Sequence, residues 1–160
     1  MGKKILILGN GFDLDLGMKS RYKDFMSSDI WKNAKRDEVF PMCNIISYLE
    51  EKSSKENWFD AESELLNYAL EITEGTYRSS QEDDKTGFDF FQYLLRKYLK
   101  REQENYCMNA KSIAMMVLKA VIANGFFDEV YTFNYTDLNK ILLKTSLMLT
   151  FFLQMILSEM

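Results

Sequence analysis

The chain of 160 residues contains no histidine. That removes the commonest general base and the commonest metal ligand together. Any hydrolytic chemistry must therefore use carboxylates, amides, hydroxyls or lysines. Cysteine is nearly as scarce, with only Cys43 and Cys107 present. Two distant cysteines can form a single bridge, but they supply neither a disulfide framework nor metal-ligand spacing, and no metal site is expected. A secretory signal is missing too. The run Ile5-Leu6-Ile7-Leu8 is too short for one and ends in Gly9-Asn10-Gly11, with Asp13 and Asp15 behind it. A reducing cytoplasm is the compartment that suits these features. Concentrated positive charge is also lacking: 20 Lys and Arg stand against 24 Asp and Glu, for a net charge of −4, and the basic residues are scattered. Duplex nucleic acid needs a dense basic surface to displace its counterions, so general nucleic-acid binding is disfavoured.

What is present points to a globular chain read as a single domain over residues 1–160. Hydrophobic residues make up 47% and aromatic ones 14%, ample for a buried core. Ile5 to Leu8 is a short unbroken apolar run, which suits a strand buried on both faces of a parallel sheet. Ser20 is placed to cap a helix carrying Tyr22, Phe25 and Met26. Residues 31–125 then read as a large helical insertion. Met42 to Leu49 after Pro41 is one helix, and Trp58, Ala61, Leu65, Leu66, Ala69 and Ile72 mark a second. Thr73 to Gly87, with its serines and acidic cluster, reads as a solvated loop. Phe88, Phe91, Leu94, Leu95, Tyr98 and Leu99 form a third apolar stripe. The fourth runs from Asn109 through Ile113, Met116, Val117, Ala120 and Val121 to a C-cap at Asn124-Gly125.

Glu129 to Phe133 alternates and is rich in β-branched and aromatic residues, so it is the expected second strand. Asn134 closes it, and Thr136 is placed to cap a following helix. Residues 141–160 form an atypical apolar tail. Between Leu147 and Leu157 it is interrupted by Thr150 and Gln154, and it falls short of a clean membrane span. A buried helix is the expectation there, and no membrane partner.

Two polar clusters follow the two strands. Gly9-Asn10-Gly11-Phe12-Asp13, between a strand and a helix, has the layout of a phosphate cradle, in which glycines let an anion approach backbone N–H groups. It is neither the dinucleotide fingerprint nor a P-loop, since Gly17 comes too late and no Gly-Lys-Ser/Thr follows. Asp13 would repel phosphate, so it suits ribose hydroxyls or a helix cap. Plain turn and cap roles account for these residues equally well. In parallel α/β sheets ligands gather at the carboxyl ends of strands, which is where Asn134 also lies. Its amide both donates and accepts, fitting a ribose hydroxyl, a water or a local turn. Asp60 and Glu62 are two apart and share no helix face, so they read as first-turn acids rather than an acid/base pair.

Three segments together resemble the AbiH family of bacterial abortive-infection proteins. Ile-Leu-Gly-Asn-Gly-Phe-Asp-Leu from Ile7 to Leu14, with Gly17, Ser20, Tyr22, Asp24 and Phe25, is similar to its opening signature. Trp58-x-Asp60-x-Glu62 resembles its internal acidic motif, and Phe133-Asn134-Tyr135-Thr136-Asp137 its later strand-end motif. The resemblance implies phage resistance by abortive infection. It also implies an α/β fold: a partial Rossmann-like, sirtuin-like parallel sheet with a large helical insertion, mostly helical by residue count. By that analogy Gly9, Asn10, Gly11, Phe12 and Asp13, with Thr136 and Asp137, would bind NAD or a related nucleotide. Asn134 would be the catalytic residue that orients the nicotinamide ribose or the attacking water. Both families continue to a His-Gly segment, which is lacking here, so a C-terminally truncated, catalytically incomplete copy is expected. A non-enzymatic helical sensor of a phage-encoded trigger and a non-functional remnant are the alternatives. Unfinished sheet edges also predict self-association.

Overall fold

The computed structural model describes residues 2–36, 43–55, 60–109, 111–124, 127–134 and 136–147. In chain order these form β1 (Ile5–Leu8), α1 (Asn10–Asp15), α2 (Tyr22–Met26), α3 (Asp29–Arg36), α4 (Asn44–Lys55), α5 (Ala61–Thr73), α6 (Gln81–Asn105), α7 (Ile113–Asn124) and β2 (Glu129–Thr132). Residues 138–147 are also helical. The chain is α/β and mostly helical around a small parallel sheet. It divides into two compact units, Met1–Lys19 with Lys100–Met160, and Ser20–Leu99.

In the first unit β1 and β2 pair in parallel, from Ile5 opposite Glu129 to Leu8 opposite Thr132. Parallel strands need a long crossover, and the whole run of helices α1 to α7 lies between them. The Asp128 and Phe133 amides extend the ladder at its two ends, donating to Lys4 O at 2.8 Å and Leu8 O at 3.0 Å. Lys3 forms an ion pair with Glu129 beside it. The expectation of a strand buried on both faces fails. Leu8 is buried, but Ile5 and Ile7 remain 48% and 65% exposed. Tyr131, paired with Ile7, and Phe133 lie open as well. Side chains alternate along a strand, and among the described residues only the face bearing Leu8 has a buried strand side chain.

The core of this unit joins Leu16, Met18, Tyr106, Ala114, Met115, Leu118 and Ile141, with Phe12, Met108, Leu138 and Leu142 against it. Helix α7 therefore turns a different side inward from the one its spacing suggested: Ile113 and Met116 are exposed. A helix apolar on most sides has no periodicity strong enough to choose its face. Its N-terminal bonds fix the rotation instead. Asp15 Oδ2 accepts from the Ala114 amide at 2.7 Å, and Ser112 Oγ from the Met115 amide at 3.0 Å. Gly17 has φ +99°, and a Cβ there would lie 2.8 Å from the Cys107 carbonyl oxygen. Glycine is required at that position.

The second unit is helical and closes on Phe25, Trp31, Ile46, Leu49, Phe91, Leu94 and Tyr98. Phe25 meets Trp31 and Phe91 edge-on at 5.1 and 5.6 Å between ring centroids. Arg21 precedes α2 as its N-cap residue, not Ser20. Asp60 caps α5, its carboxylate accepting from the Glu62 and Ser63 amides. The loop expected over Thr73 to Gly87 is shorter, because Glu82, Asp83 and Asp84 form the first turn of α6. Acidic residues there complement the helix dipole. Gly87 lies inside α6, where a Cβ would fall 2.4 Å from Ile45 Cγ2 and 2.5 Å from Cys43 Sγ. It is a contact point between helices rather than a loop residue. Pro41, Met42, Trp58, Gly125 and the apolar run beyond Leu147 lie outside the described residues. Among those described, no helix is long and apolar enough to cross a membrane.

Candidate functional site

The two strands end side by side, so the loops that follow them emerge at one edge of the sheet. Gly9 leaves β1 in an extended conformation and forms the N-cap of α1, with the Phe12 amide donating to its carbonyl at 2.9 Å. Gly9, Asn10 and Gly11 are exposed, and Phe12 is half-buried against the core. A Cβ built on Gly9 or Gly11 would meet nothing within 4 Å. Neither glycine has a positive φ, unlike Gly17 and Gly75. Conformation and packing thus leave both of these glycines without a structural requirement.

Asp13 is the anchor of this edge. It is 1% exposed. Its Oδ1 accepts a hydrogen bond from Asn134 Nδ2 at 3.0 Å, and its Oδ2 one from Thr136 Oγ1 at 2.6 Å. The carboxylate therefore ties the loop after β1 to the loop after β2. Burial pushes the Asp13 carboxyl above its ordinary pKa, against the opposing pull of the Thr136 and Asn134 hydrogen bonds. Thr136, expected to cap a helix, spends its hydroxyl on Asp13. Asp137 does the capping, its Oδ1 accepting from the Asn139 amide at 3.0 Å. Asp137 is also held by Gln103, which donates to its carbonyl and accepts from its amide, at 2.6 and 3.1 Å.

The structure thus bonds Asn134 and Thr136 each to Asp13, with Gly9, Asn10 and Gly11 exposed along the same edge. Asp137 is tied instead to Gln103. With a protein donor on each oxygen, Asp13 is a clamp rather than a free base. Asn134 keeps capacity in reserve: its Oδ1 is buried with no hydrogen-bond partner among the described residues. So does a residue that no motif had marked. Tyr106 is 7% exposed, and its hydroxyl is the other buried side-chain oxygen without a partner there. Burial and then the Asp13 charge push its pKa up to about 12. Lys144 Nζ stands 4.1 Å from the centre of its ring. Tyr106 lies outside every recognisable motif, just beyond α6, and no spacing in the chain could have pointed to it. Among the described residues no group of three or more cysteines or acids is placed to hold a metal ion.

Compared with known proteins, the chain matches the family model described as bacteriophage abortive infection AbiH over residues 5–152. No curated protein and no solved structure matches it.

Proposed function

Because the chain belongs to the bacteriophage abortive infection AbiH family, we propose that it acts in phage defence by binding NAD or a related nucleotide at the paired strand ends. The observation that carries this reading is the pair of glycines at positions 9 and 11, which neither conformation nor packing demands. What glycine still offers at such positions is close approach of a ligand to the backbone. The neighbouring Asp13–Asn134 hydrogen bond supports the reading by holding the two strand-end loops together. In this reading the sheet is the start of a Rossmann-like, sirtuin-like layout, and the protein works in the cytoplasm. Asn134 faces the ribose or a water, and Gly9, Asn10, Gly11, Phe12, Thr136 and Asp137 surround the nucleotide. With no histidine in the chain and the Asp13 carboxylate engaged on both oxygens, binding without turnover is the expected behaviour. Calorimetric titration with NAD and with ADP-ribose tests it. Heat saturating with one of them is the expected result; flat traces for both sink the reading.

A second reading is favoured by α5, where Leu66 and Leu70 stand four residues apart and remain 62% and 51% exposed. One helical turn of apolar surface suits recognition of a phage-encoded trigger without any enzyme chemistry. Phage-protection assays separate the two. Loss of protection in Asn134→Ala supports the nucleotide reading. Loss in Leu66→Lys/Leu70→Lys, with Asn134→Ala still protective, supports the sensor.

A further inference from the structure

We propose that the chain joins a second copy of itself head to tail, the outer row of α5 on one copy packing against the outer row of α7 on the next. Helix α5 buries Ala61, Glu64 and Tyr68. Its other side carries Glu62, Leu66, Leu70 and the C-cap residue Glu74 at steps of four, all exposed, the leucines by 62% and 51%. Residues four apart are neighbours on a helix surface, so these make one ridge. It is apolar in the middle and has a carboxylate at each end. Helix α7 buries Ala114, Met115 and Leu118. Away from them Ile113, Met116 and Lys119 follow at steps of three, again exposed, Ile113 by 68% and Met116 by 58%. Lys111, just ahead of the helix, is exposed too. This second ridge is an apolar pair between two ammonium groups.

The two ridges complement each other in shape and in charge. A row at steps of four packs into a row at steps of three with the helices only about 20° apart, so both rows touch along their length. Leu66 and Leu70 then lie on Ile113 and Met116, with Lys119 beside Glu74 and Lys111 toward Glu62. Lys111, Lys119 and Glu74 form no ion pair among the described residues, so the contact breaks none. Glu62 accepts a hydrogen bond from the Tyr22 hydroxyl at 3.1 Å and brings its charge without giving that up. A further exposed pair, Leu143 and Leu147, offers no such match. The lysines beside it are engaged, Lys140 with Asp137 and Lys144 with the Tyr106 carbonyl. Because the two ridges differ, the contact is heterologous, and each copy keeps one ridge open for the next. A helix-on-helix contact is small, so association is weak and rises with concentration. This contact stands apart from the nucleotide reading and competes with the sensor reading for Leu66 and Leu70.

The test is analytical ultracentrifugation of the whole chain over a range of concentrations, in an Ile7→Lys background that keeps the open side of the sheet from contributing. Leu70→Lys spoils the α5 ridge and Met116→Lys the α7 ridge. Each variant alone is expected to stay monomeric where the background protein associates. An equal mixture of the two is expected to give one-to-one dimers and nothing larger, because one sound ridge of each kind remains. Glu74→Lys and Lys119→Glu should each raise the concentration needed for association roughly tenfold. Both changes in one chain should restore it. The substituted side chains are exposed, so unchanged urea midpoints are expected; if either variant fails to fold, Leu66→Lys and Ile113→Lys take their places. A mixture that remains monomeric overturns the proposal, as do single variants that associate like the background protein. A background protein that is monomeric at every concentration overturns it too. If Leu66→Lys/Leu70→Lys then removes phage protection, the α5 ridge belongs to the phage-encoded partner instead.

Discussion

Asn134 donates to Asp13 across 121 positions of sequence, at 3.0 Å, and so fastens the end of the second strand to the turn that follows the first. The bond reaches a carboxylate that is out of contact with water, where hydrogen bonds to charged groups contribute most. Asn134→Ala should therefore destabilise the protein by about 1–3 kcal/mol. Thr136→Val should act in the same direction, and the two losses should not add, because both bonds end on one carboxylate. Urea unfolding curves check both points.

Glycines that leave room can be told from glycines that are needed. Gly11→Ala should unfold at nearly the same denaturant concentration as the parent, since its Cβ meets nothing within 4 Å. Gly87→Ala drives a methyl into Ile45 and Cys43, an overpacking that costs about 1–3 kcal/mol. Gly17→Ala is penalised twice, by its φ of +99° and by the Cys107 carbonyl. Replacing Gly11 with a bulky residue, Gly11→Val, should leave the melting temperature close to normal and abolish nucleotide binding. Binding that survives it would count against the strand-end cleft.

The acid limb of stability carries a signature of Asp13. Its folded pKa is raised by burial, so the folded state holds the proton more tightly than the unfolded chain does. The stability this group contributes is complete below the ordinary carboxyl value of 3.8 and is lost as pH rises through the folded value. The difference in unfolding free energy between the protein and Asp13→Asn should thus fall with rising pH across the acid range. A difference that grows with pH would show that the hydrogen bonds outweigh burial.

At the alkaline end Tyr106 behaves likewise. Its folded pKa of about 12 exceeds its ordinary value of 10.0, so stability is fully present below the lower value and declines between the two. Burial is the larger cause of that rise and the Asp13 charge the second. In Tyr106→Phe this part of the alkaline decline should be missing, as read from unfolding midpoints at a series of pH values.

We expect copies of the chain to associate through the bare side of the sheet. Ile5, Ile7, Tyr131 and Phe133 make it apolar, and both strands present unpaired edges among the described residues. Light scattering should report a species larger than one chain, reduced toward a monomer by Ile7→Lys. A clean monomer in the unaltered protein would remove this expectation.

Much of this was written locally. Ile5 to Leu8 and Glu129 to Thr132 are strands as their composition implies, and they pair in parallel as expected, which sets the two polar strand ends side by side. The stripe that starts at Phe88 is buried as its spacing implies at Phe91, Leu94, Leu95, Tyr98 and Leu99, while Phe88 itself stays 36% exposed. Three things were not legible. The apolar character of Ile5 and Ile7 says nothing about whether a second layer covers them. The rotation of α7 is set by Asp15, a residue far away in the chain that caps it. The burial of Tyr106 depends wholly on tertiary packing, which no periodicity encodes. The acidic start of α6 misled for a simpler reason: the same residues mark solvated loops and helix first turns.

The parallel register also dictates an order of assembly. The first strand, Ile5–Leu8, pairs with Glu129–Thr132, and the contiguous Ser20–Leu99 unit is synthesised in between. As the polypeptide leaves the ribosome, that helical unit has all its neighbours long before the first strand acquires one. Ile5 to Leu8 must wait, unpaired, until Glu129 to Thr132 emerges, and the Asp13 clamp can close only after that. Ribosome-bound intermediates halted ahead of the second strand should resist protease in the helices while remaining open to cleavage at the N-terminus.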